Sequence, residues 1–272
     1  DQGNPGRVRI GYAKLGRAAF RSHLDFVRLL PRMFRRLDLP MYYSQGFHPK
    51  PDMSFGPALP LGVASMAEYV DVKILESAGL DEAQIRERLL GAALEDITFR
   101  EARVLGPQDP GVGRIIDTAR YVVGLPASAL ETLGKSEAEL KAQVAQRLGD
   151  SLKVVRDVKG IKRTIDVSSL LSTAAVGVGH EELERAGIVG NMTPMFFETK
   201  ITGAGGVKPS EVLEALLGTK DLPTRLVRTF MGRGDRTPTE LESLRILLAE
   251  EKAEQAASEA VEPEEFVQES AE

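Results

Sequence analysis

The fold is decided by two copies of one pattern, EYVDVKILESAGLDEAQIRERLLG at residues 68–91 and MFFETKITGAGGVKPSEVLEALLG at residues 195–218. At a constant offset of 127 residues the two copies align without a gap and share seven identical positions in 24. Each copy opens with a strand-like run, passes through a glycine turn and then repeats its apolar residues at helical spacing. We therefore predict a strand, a turn and an amphipathic helix in each copy, and an internal duplication of the chain.

The segments around each copy extend this pattern to both halves of the chain. In the first half we predict strands at 7–16, 53–61, 68–75 and 97–105 and helices at 23–37 and 81–94. In the second half we predict strands at 121–125, 152–158, 161–167 and 225–231 and a helix at 137–148, besides the second copy itself. The element order of the first half, strand–helix–strand–strand–helix–strand, is the ferredoxin-like pattern. We predict an α+β protein built of tandem ferredoxin-like halves.

The predicted organisation has four parts. The first half covers residues 7–106 and the second covers residues 118–233, with a linker at 107–117 that begins in a run dense in turn-forming residues. Residues 234–272 form an acidic tail, in which Thr239–Glu254 has helical spacing before the composition becomes poor in large apolar residues. We expect a short helix there, followed by disorder.

Composition excludes several classes of protein. The chain has no cysteine, so it forms no disulfide, no thiolate zinc site and no iron–sulfur cluster held by its own cysteines. No apolar run approaches the roughly 20 residues needed to span a bilayer, and no leader-like stretch opens the sequence, so we predict a cytoplasmic protein. The three histidines match no ligand spacing, and we expect neither a metal nor a cofactor.

Charge is distributed unevenly along the chain. The net charge is −5, but residues 240–272 carry eleven acidic and two basic side chains, which leaves a positive remainder. Residues 1–63 hold ten Lys or Arg against four Asp. Such a segment is either a solvated charged surface or a contact for an anionic partner, and composition leaves both open.

The first candidate functional segment is the start of the predicted helix at 23–37. Ser22 and Asp25 have the spacing of a capping box, while His23 beside them is a candidate general base or hydrogen-bond donor. Further along the helix a basic stripe is formed by Arg28, Arg32, Arg35 and Arg36. Such a stripe is usually a solvated helix face, and the functional alternative is that it binds RNA. Pro31 lies inside this helix and predicts a kink or a break.

The second candidate segment is the Pro- and aromatic-rich loop that follows. Four of the fifteen aromatic residues lie between Tyr42 and Phe55. The residues Tyr43, Phe47, His48 and Lys50 combine stacking surfaces with positive charge, which suits an unpaired base and its phosphate. The structural alternative is that the rings cover the sheet of the first half, and this alternative is favoured for Tyr42 and Phe55.

Three separated runs carry a family resemblance. They are SHLD at 22–25, YSQGFHP at 43–49 and SFGPALPLG at 54–62, continued by EYVDV at 68–72. In these runs the chain resembles the domain of unknown function linked to radical S-adenosylmethionine (radical SAM) enzymes. The residues that we single out as its signature are Ser22, His23, Asp25, Gln45, Gly46, Ser54, Phe55 and Gly56.

The resemblance implies that the protein associates with a cobalamin-binding radical SAM protein. It also implies a bacterial genomic setting that often includes RNA-processing genes. Since this chain lacks cysteine, the radical chemistry would belong to the partner. We expect a non-catalytic RNA-binding module that presents a tRNA or rRNA for modification. Two alternatives stay open: a metal-independent endoribonuclease of tandem ferredoxin-like type, using His23, Tyr43 or His48, and a docking scaffold that does not contact RNA.

Overall fold

The computed structural model describes residues 4–90, 92–94, 96–203, 205–240, 248–249 and 252–253. Residues up to Thr239 form one compact unit, and Glu240 begins a second. The predicted helix and disorder of the acidic tail fall almost entirely outside the described residues. None of the described helices has the length and apolar composition needed to cross a lipid bilayer.

The described residues contain twelve strands and seven α-helices in a mixed α+β fold, as predicted. The strands are β1 Pro5–Lys14, β2 Met53–Phe55, β3 Ala64–Leu75, β4 Ala93–Leu94, β5 Ile97–Leu105, β6 Thr118–Pro126, β7 Lys153–Val158, β8 Ile161–Asp166, β9 Leu171–Val176, β10 Met192–Thr202, β11 Gly205–Gly206 and β12 Arg225–Gly232. The helices are α1 His23–Arg36, α2 Glu82–Leu89, α3 Val112–Ile115, α4 Ala127–Leu133, α5 Glu137–Arg147, α6 His180–Arg185 and α7 Pro209–Leu217. Short 3-10 turns lie at Gly16–Phe20 and Glu76–Ala78.

Ten of these strands form one large mixed sheet. Its order is β11-β10-β6-β12-β3-β1-β5-β4, with β2 added to β3 and β9 added to β10. In the first half β2, β3, β1 and β5 are successive antiparallel neighbours, and in the second half β9, β10, β6 and β12 repeat that arrangement. The two sets meet in a short parallel pairing of β12 with β3.

The offset of 127 residues that aligns the two sequence copies also aligns their elements. It places the first residue of α2, Glu82, on the first residue of α7, Pro209, and it places β3 on β10. Both helices follow the strand that lies beside the first strand of their half. The sequence repeat therefore corresponds to a repeat of strand–turn–helix units in the sheet.

Each half has its own hydrophobic core between sheet and helices. In the first, Val8 and Ile10 of β1 pack with Leu30 and Phe34 of α1 and Leu89 of α2, and all are buried. In the second, alternate residues of β6 pack against α5 and α7, among them Val123, Leu125, Leu140, Val212 and Leu216. The two-residue period of the strands and the 3.6-residue period of the helices bring these apolar side chains to the same layer.

The structure differs from the predicted elements in several places. The strands predicted at 152–158 and 161–167 pair only with each other and form a separate two-stranded sheet. The place beside β10 is taken by β9, which the sequence patterns did not indicate. The strand predicted at 53–61 ends at Phe55. A kink or a break was predicted at Pro31, and the break does not occur, because α1 continues through this residue.

The predicted linker is packed against the first half. Arg7 donates to the carbonyl oxygens of Gly106 and Asp109, and Arg9 donates to that of Pro110 at 2.8 Å. Arg9 is fully buried and forms a two-pronged ion pair with Asp71, its register partner on β3. These bonds satisfy a charge that would otherwise be costly to bury.

Candidate functional site

The start of α1 has the capping box that the sequence predicts. The Ser22 hydroxyl accepts from the backbone N–H of Asp25, and the Asp25 carboxylate accepts from the backbone N–H of Ser22 at 2.8 Å. Hydrogen bonds from the Ser22 side chain and backbone lower the pKa of Asp25. Ser22 and Asp25 thus have an architectural role, which is to fix where the helix begins.

The basic stripe of α1 faces solvent. Arg28, Arg32, Arg35 and Arg36 are all exposed, whereas Phe26, Leu30, Met33 and Phe34 on the other face are buried. Within the described parts of the chain, no carboxylate forms an ion pair with any of these four arginines. The stripe is therefore a surface of uncompensated positive charge.

The aromatic loop lies next to the stripe. Arg35 donates to the Tyr43 hydroxyl at 3.3 Å, which joins the C-terminal part of α1 to the loop. Tyr43 is half-buried and packs against the first core, but the Phe47 ring is fully exposed. His48 and Lys50 are exposed, as are Gln45 and Gly46, the latter with a φ of 140°. The structure thus places the predicted RNA-binding residues along one helix and its adjoining loop.

A second group of signature residues converges on a pocket. His23, Phe55 and Gly56 line it together with Pro57, Ala58 and Leu59 from the next turn, while Gln45, Gly46 and Ser54 do not. His23 meets the Phe55 ring edge-on at 4.8 Å between centroids. Phe55 also packs on the first core, as the structural alternative predicted, and it lines the pocket at the same time. Residues distant in sequence therefore share one concave site.

Strands β1 and β3 supply the polar wall of this pocket. Tyr12 and Lys14 come from β1, and Glu68 and Tyr69 from β3, where Tyr12 and Glu68 are register partners. The pairing of β1 with β3 has a register shift between Tyr12 and Lys14. Such a bulge changes the direction of nearby side chains and is common beside functional sites.

The acidic residue of the pocket is held by an arginine of the second half. Arg228 on β12 is buried and donates to Glu68 Oε1 at 2.9 Å. It also donates to the carbonyl oxygens of Pro57 and Ala58 at 3.0 and 3.1 Å, and to the Tyr121 hydroxyl at 3.3 Å. One guanidinium group thus positions both the signature turn and the Glu68 carboxylate.

The two β1 side chains in the pocket are buried polar groups. Burial, and then the negative charge of Glu68, raise the pKa of Tyr12 well above its ordinary value. Burial lowers the pKa of Lys14, although Glu68 acts in the opposite direction. The Lys14 Nζ atom lies 5.1 Å from the centroid of the Phe26 ring. Titratable groups with shifted pKa values in a cleft are candidates for binding or chemistry.

Sequence reasoning missed Tyr12, Lys14 and Arg228 as members of a site. Strand alternation could have indicated Lys14, because side chains at every second position point to the same face of a strand. Lys14 follows Val8, Ile10 and Tyr12 at this spacing, on the core side of β1. A lysine is usually solvated, so residue type alone gives no sign of its burial. For Arg228 no local signal exists, since Pro57, Ala58 and Glu68 lie 160–171 residues away along the chain.

The fold and the pocket define a class: a cysteine-free, mixed α+β protein with one large sheet, a basic helix face and a buried polar pocket beside it. The chain belongs to the family described as uncharacterized protein conserved in bacteria (DUF2344), whose model matches residues 7–198. That range contains the basic stripe, the aromatic loop and every pocket residue from Tyr12 to Tyr69, but not Arg228. No curated protein matches the chain.

Proposed function

We propose that this protein is an RNA-binding accessory module that presents a tRNA or rRNA to a radical SAM enzyme. The observation that carries the proposal is the row of four exposed arginines without a carboxylate partner in the described chain, continued by a loop with a fully exposed Phe47. Phosphates would neutralise the arginines, and an unpaired base would stack on the ring.

The charge pattern supports RNA over a solvated surface. Surface arginines usually lie among carboxylates of opposite sign, whereas residues 1–63 contain four acidic side chains and ten basic ones. Asp25 and Asp38 flank the stripe in sequence. Asp25 is engaged in the capping box, and in the described chain neither carboxylate forms an ion pair with the four arginines. The stripe therefore keeps a net positive charge that would attract a polyanion.

The partner follows from the family resemblance and from chemistry. A radical SAM enzyme needs cysteines for its cluster, and this chain has none, so the reaction would take place on a cobalamin-binding radical SAM protein. Phe20 and Leu61 offer a contact for it, being 71% and 67% exposed and joined through the bond from Gly62 N–H to the Ala19 carbonyl. Exposed apolar residues of this kind are typical of protein interfaces.

The strand arrangement supports the finer fold assignment. The antiparallel neighbours are, in order, β2, β3, β1 and β5 in the first half and β9, β10, β6 and β12 in the second. This order supports a ferredoxin-like fold, which many RNA-binding modules share. We infer that the protein is a tandem of two such halves, with the separate hairpin β7–β8 inserted in the second.

The test is a binding titration of fluorescently labelled tRNA and rRNA fragments at several salt concentrations. For each arginine removed that contacts a phosphate, the slope of log K against log salt should fall by about 0.7 if the RNA is single-stranded. We expect Arg28→Ala/Arg32→Ala to weaken binding at least tenfold and to lower this slope. Phe47→Ala should weaken binding and leave the slope unchanged, because it removes stacking without removing charge.

The control is Lys162→Ala/Arg163→Ala, which removes two exposed cations from β8 in the second half. It should bind RNA as the wild type does. Equal losses in the control and in the α1 variant would mean nonspecific charge and would overturn the proposal. Absence of RNA binding by the wild type would leave a protein-docking scaffold, and cut RNA ends would identify a nuclease instead.

A further inference from the structure

The pocket between β1, β3 and α1 contains a lysine that forms no ion pair with the described residues. Lys14 is 6% exposed, yet no carboxylate of the described residues lies within ion-pair distance of its Nζ atom. Its ammonium group has the face of Phe26 on one side and the pocket on the other. A lysine enclosed to this degree is uncommon in proteins, so Lys14 is a candidate ligand-binding residue.

The Glu68 carboxylate does not act as the anionic partner of Lys14. Glu68 accepts a charge-assisted hydrogen bond from Arg228, and its charge is compensated by that guanidinium group. The Tyr12 side chain, which is 4% exposed, lines the same pocket. Two donors, one of them cationic, thus meet in one cavity.

We propose that this pocket binds the carboxylate group of a small organic acid, with Lys14 and Tyr12 donating to its oxygen atoms. The rest of the acid would lie at the mouth of the pocket against Phe55 and His23, whose rings are in edge-on contact. This binding site is separate from the α1 stripe and does not depend on RNA binding.

The shape of the anion favours a carboxylate over a phosphate. The inner space of the cavity is about 40 Å³, and a flat carboxylate with three non-hydrogen atoms is smaller than a tetrahedral phosphate with five. The planar carboxylate also allows both donors to bond to it at once.

The experiment is a titration of the full chain with acetate, benzoate and phenylacetate, with benzamide and phenyl phosphate as neutral and larger anionic controls. Binding is followed by NMR of lysine labelled with ¹³C at Cε, since pairing with an anion raises the pKa of Lys14 and shifts its signal. We expect at least one carboxylate to saturate the protein at least tenfold more tightly than either control compound. No saturable shift with any carboxylate would overturn the proposal, as would tighter binding of benzamide or phenyl phosphate.

Variants assign the effect to the two donors. Lys14→Met keeps the length of the side chain and should lose carboxylate binding by at least tenfold, while Tyr12→Phe should weaken it several-fold. Lys162→Met, at an exposed position of β8, is the matched control and should bind as the wild type does. Lys14→Met should melt at the same temperature as the wild type or higher, because it removes a buried charge. If it binds the carboxylate normally, Lys14 is not the ligand-binding group. Its RNA binding should be unchanged, which separates this proposal from the previous one.

Discussion

Removal of Arg228 should destabilise the protein more than any ordinary surface substitution, because this side chain satisfies groups from three separate segments. In Arg228→Met the Glu68 carboxylate, whose side chain is 11% exposed, loses its cationic partner. The carbonyl oxygens of Pro57 and Ala58 lose their donor as well. Removing one member of a buried ion pair typically costs about 3–5 kcal/mol. For a unit of this size that corresponds to a fall in Tm of about 6–20 °C.

The assay is urea unfolding of the wild type, Arg228→Met, Glu68→Gln and the double variant, followed by circular dichroism. Glu68→Gln removes the charge that Arg228→Met leaves unpaired, so the double variant should be more stable than the sum of the single losses by at least about 1 kcal/mol. Arg225→Met is the matched control on the same strand, since Arg225 is exposed and, among the described residues, its side chain donates only to the neighbouring Thr224 carbonyl. It should stay within about 0.5 kcal/mol of the wild type.

Two results would refute this reasoning. One is a loss below about 1 kcal/mol in Arg228→Met, which would mean that the pair contributes no more than a surface ion pair. The other is strict additivity of the two single substitutions, which would mean that Arg228 and Glu68 act independently. The same variant also bears on the pocket, because the positive charge of Arg228 lowers the pKa of Lys14, and its removal should let that pKa rise.

Two further predictions concern the second half. Although burial alone would raise it, the pKa of Glu211 is lowered by hydrogen bonds from Arg156 and from the backbone of residue 208. The resulting stabilisation is present above the unfolded pKa of about 4.3 and is lost as pH falls through the folded value. The stability difference between the wild type and Glu211→Gln in urea should therefore be larger at pH 7 than at pH 3, and an equal difference would contradict the assignment. Gly179 has a φ of 115°, and a Cβ there would lie 2.5 Å from Cγ1 of Val122. Gly179→Ala should lower the free energy of unfolding by about 2–4 kcal/mol through backbone strain and overpacking. The control is Gly134→Ala, where φ is 61° and an added Cβ has open space around it, and it should lose about 1–2 kcal/mol. Equal losses in the two variants would show that the contact with Val122 does not matter.

Local interactions account for the parts of the fold that sequence patterns predicted correctly. The capping box of Ser22 and Asp25 involves groups three residues apart, and it places the start of α1 where the sequence indicated. The burial of Phe26, Leu30 and Phe34 and the exposure of the arginines follow from helical periodicity alone. The repeat at an offset of 127 residues placed equivalent strands and helices in both halves.

Non-local pairing accounts for the errors. The segments at β7 and β8 have strand character, but whether they join the main sheet depends on which edge is occupied, and β9 occupies it. The break predicted at Pro31 did not occur, and Pro31 itself is buried within α1. Packing of a helix face can offset a local cost of this kind.

The sequence by itself determined the absence of cysteine, the α+β class, the amphipathic face of α1 and the uneven charge, because these depend on residue type and on neighbours within a few positions. Only the tertiary structure decided that Tyr12, Lys14 and Glu68 share a pocket with the signature residues, and that Arg228 of the other half binds Glu68. The physical reason is that strand register and the pairing of distant segments set the burial of a charge, and burial changes the chemistry of a lysine from that of a solvated cation to that of a binding group.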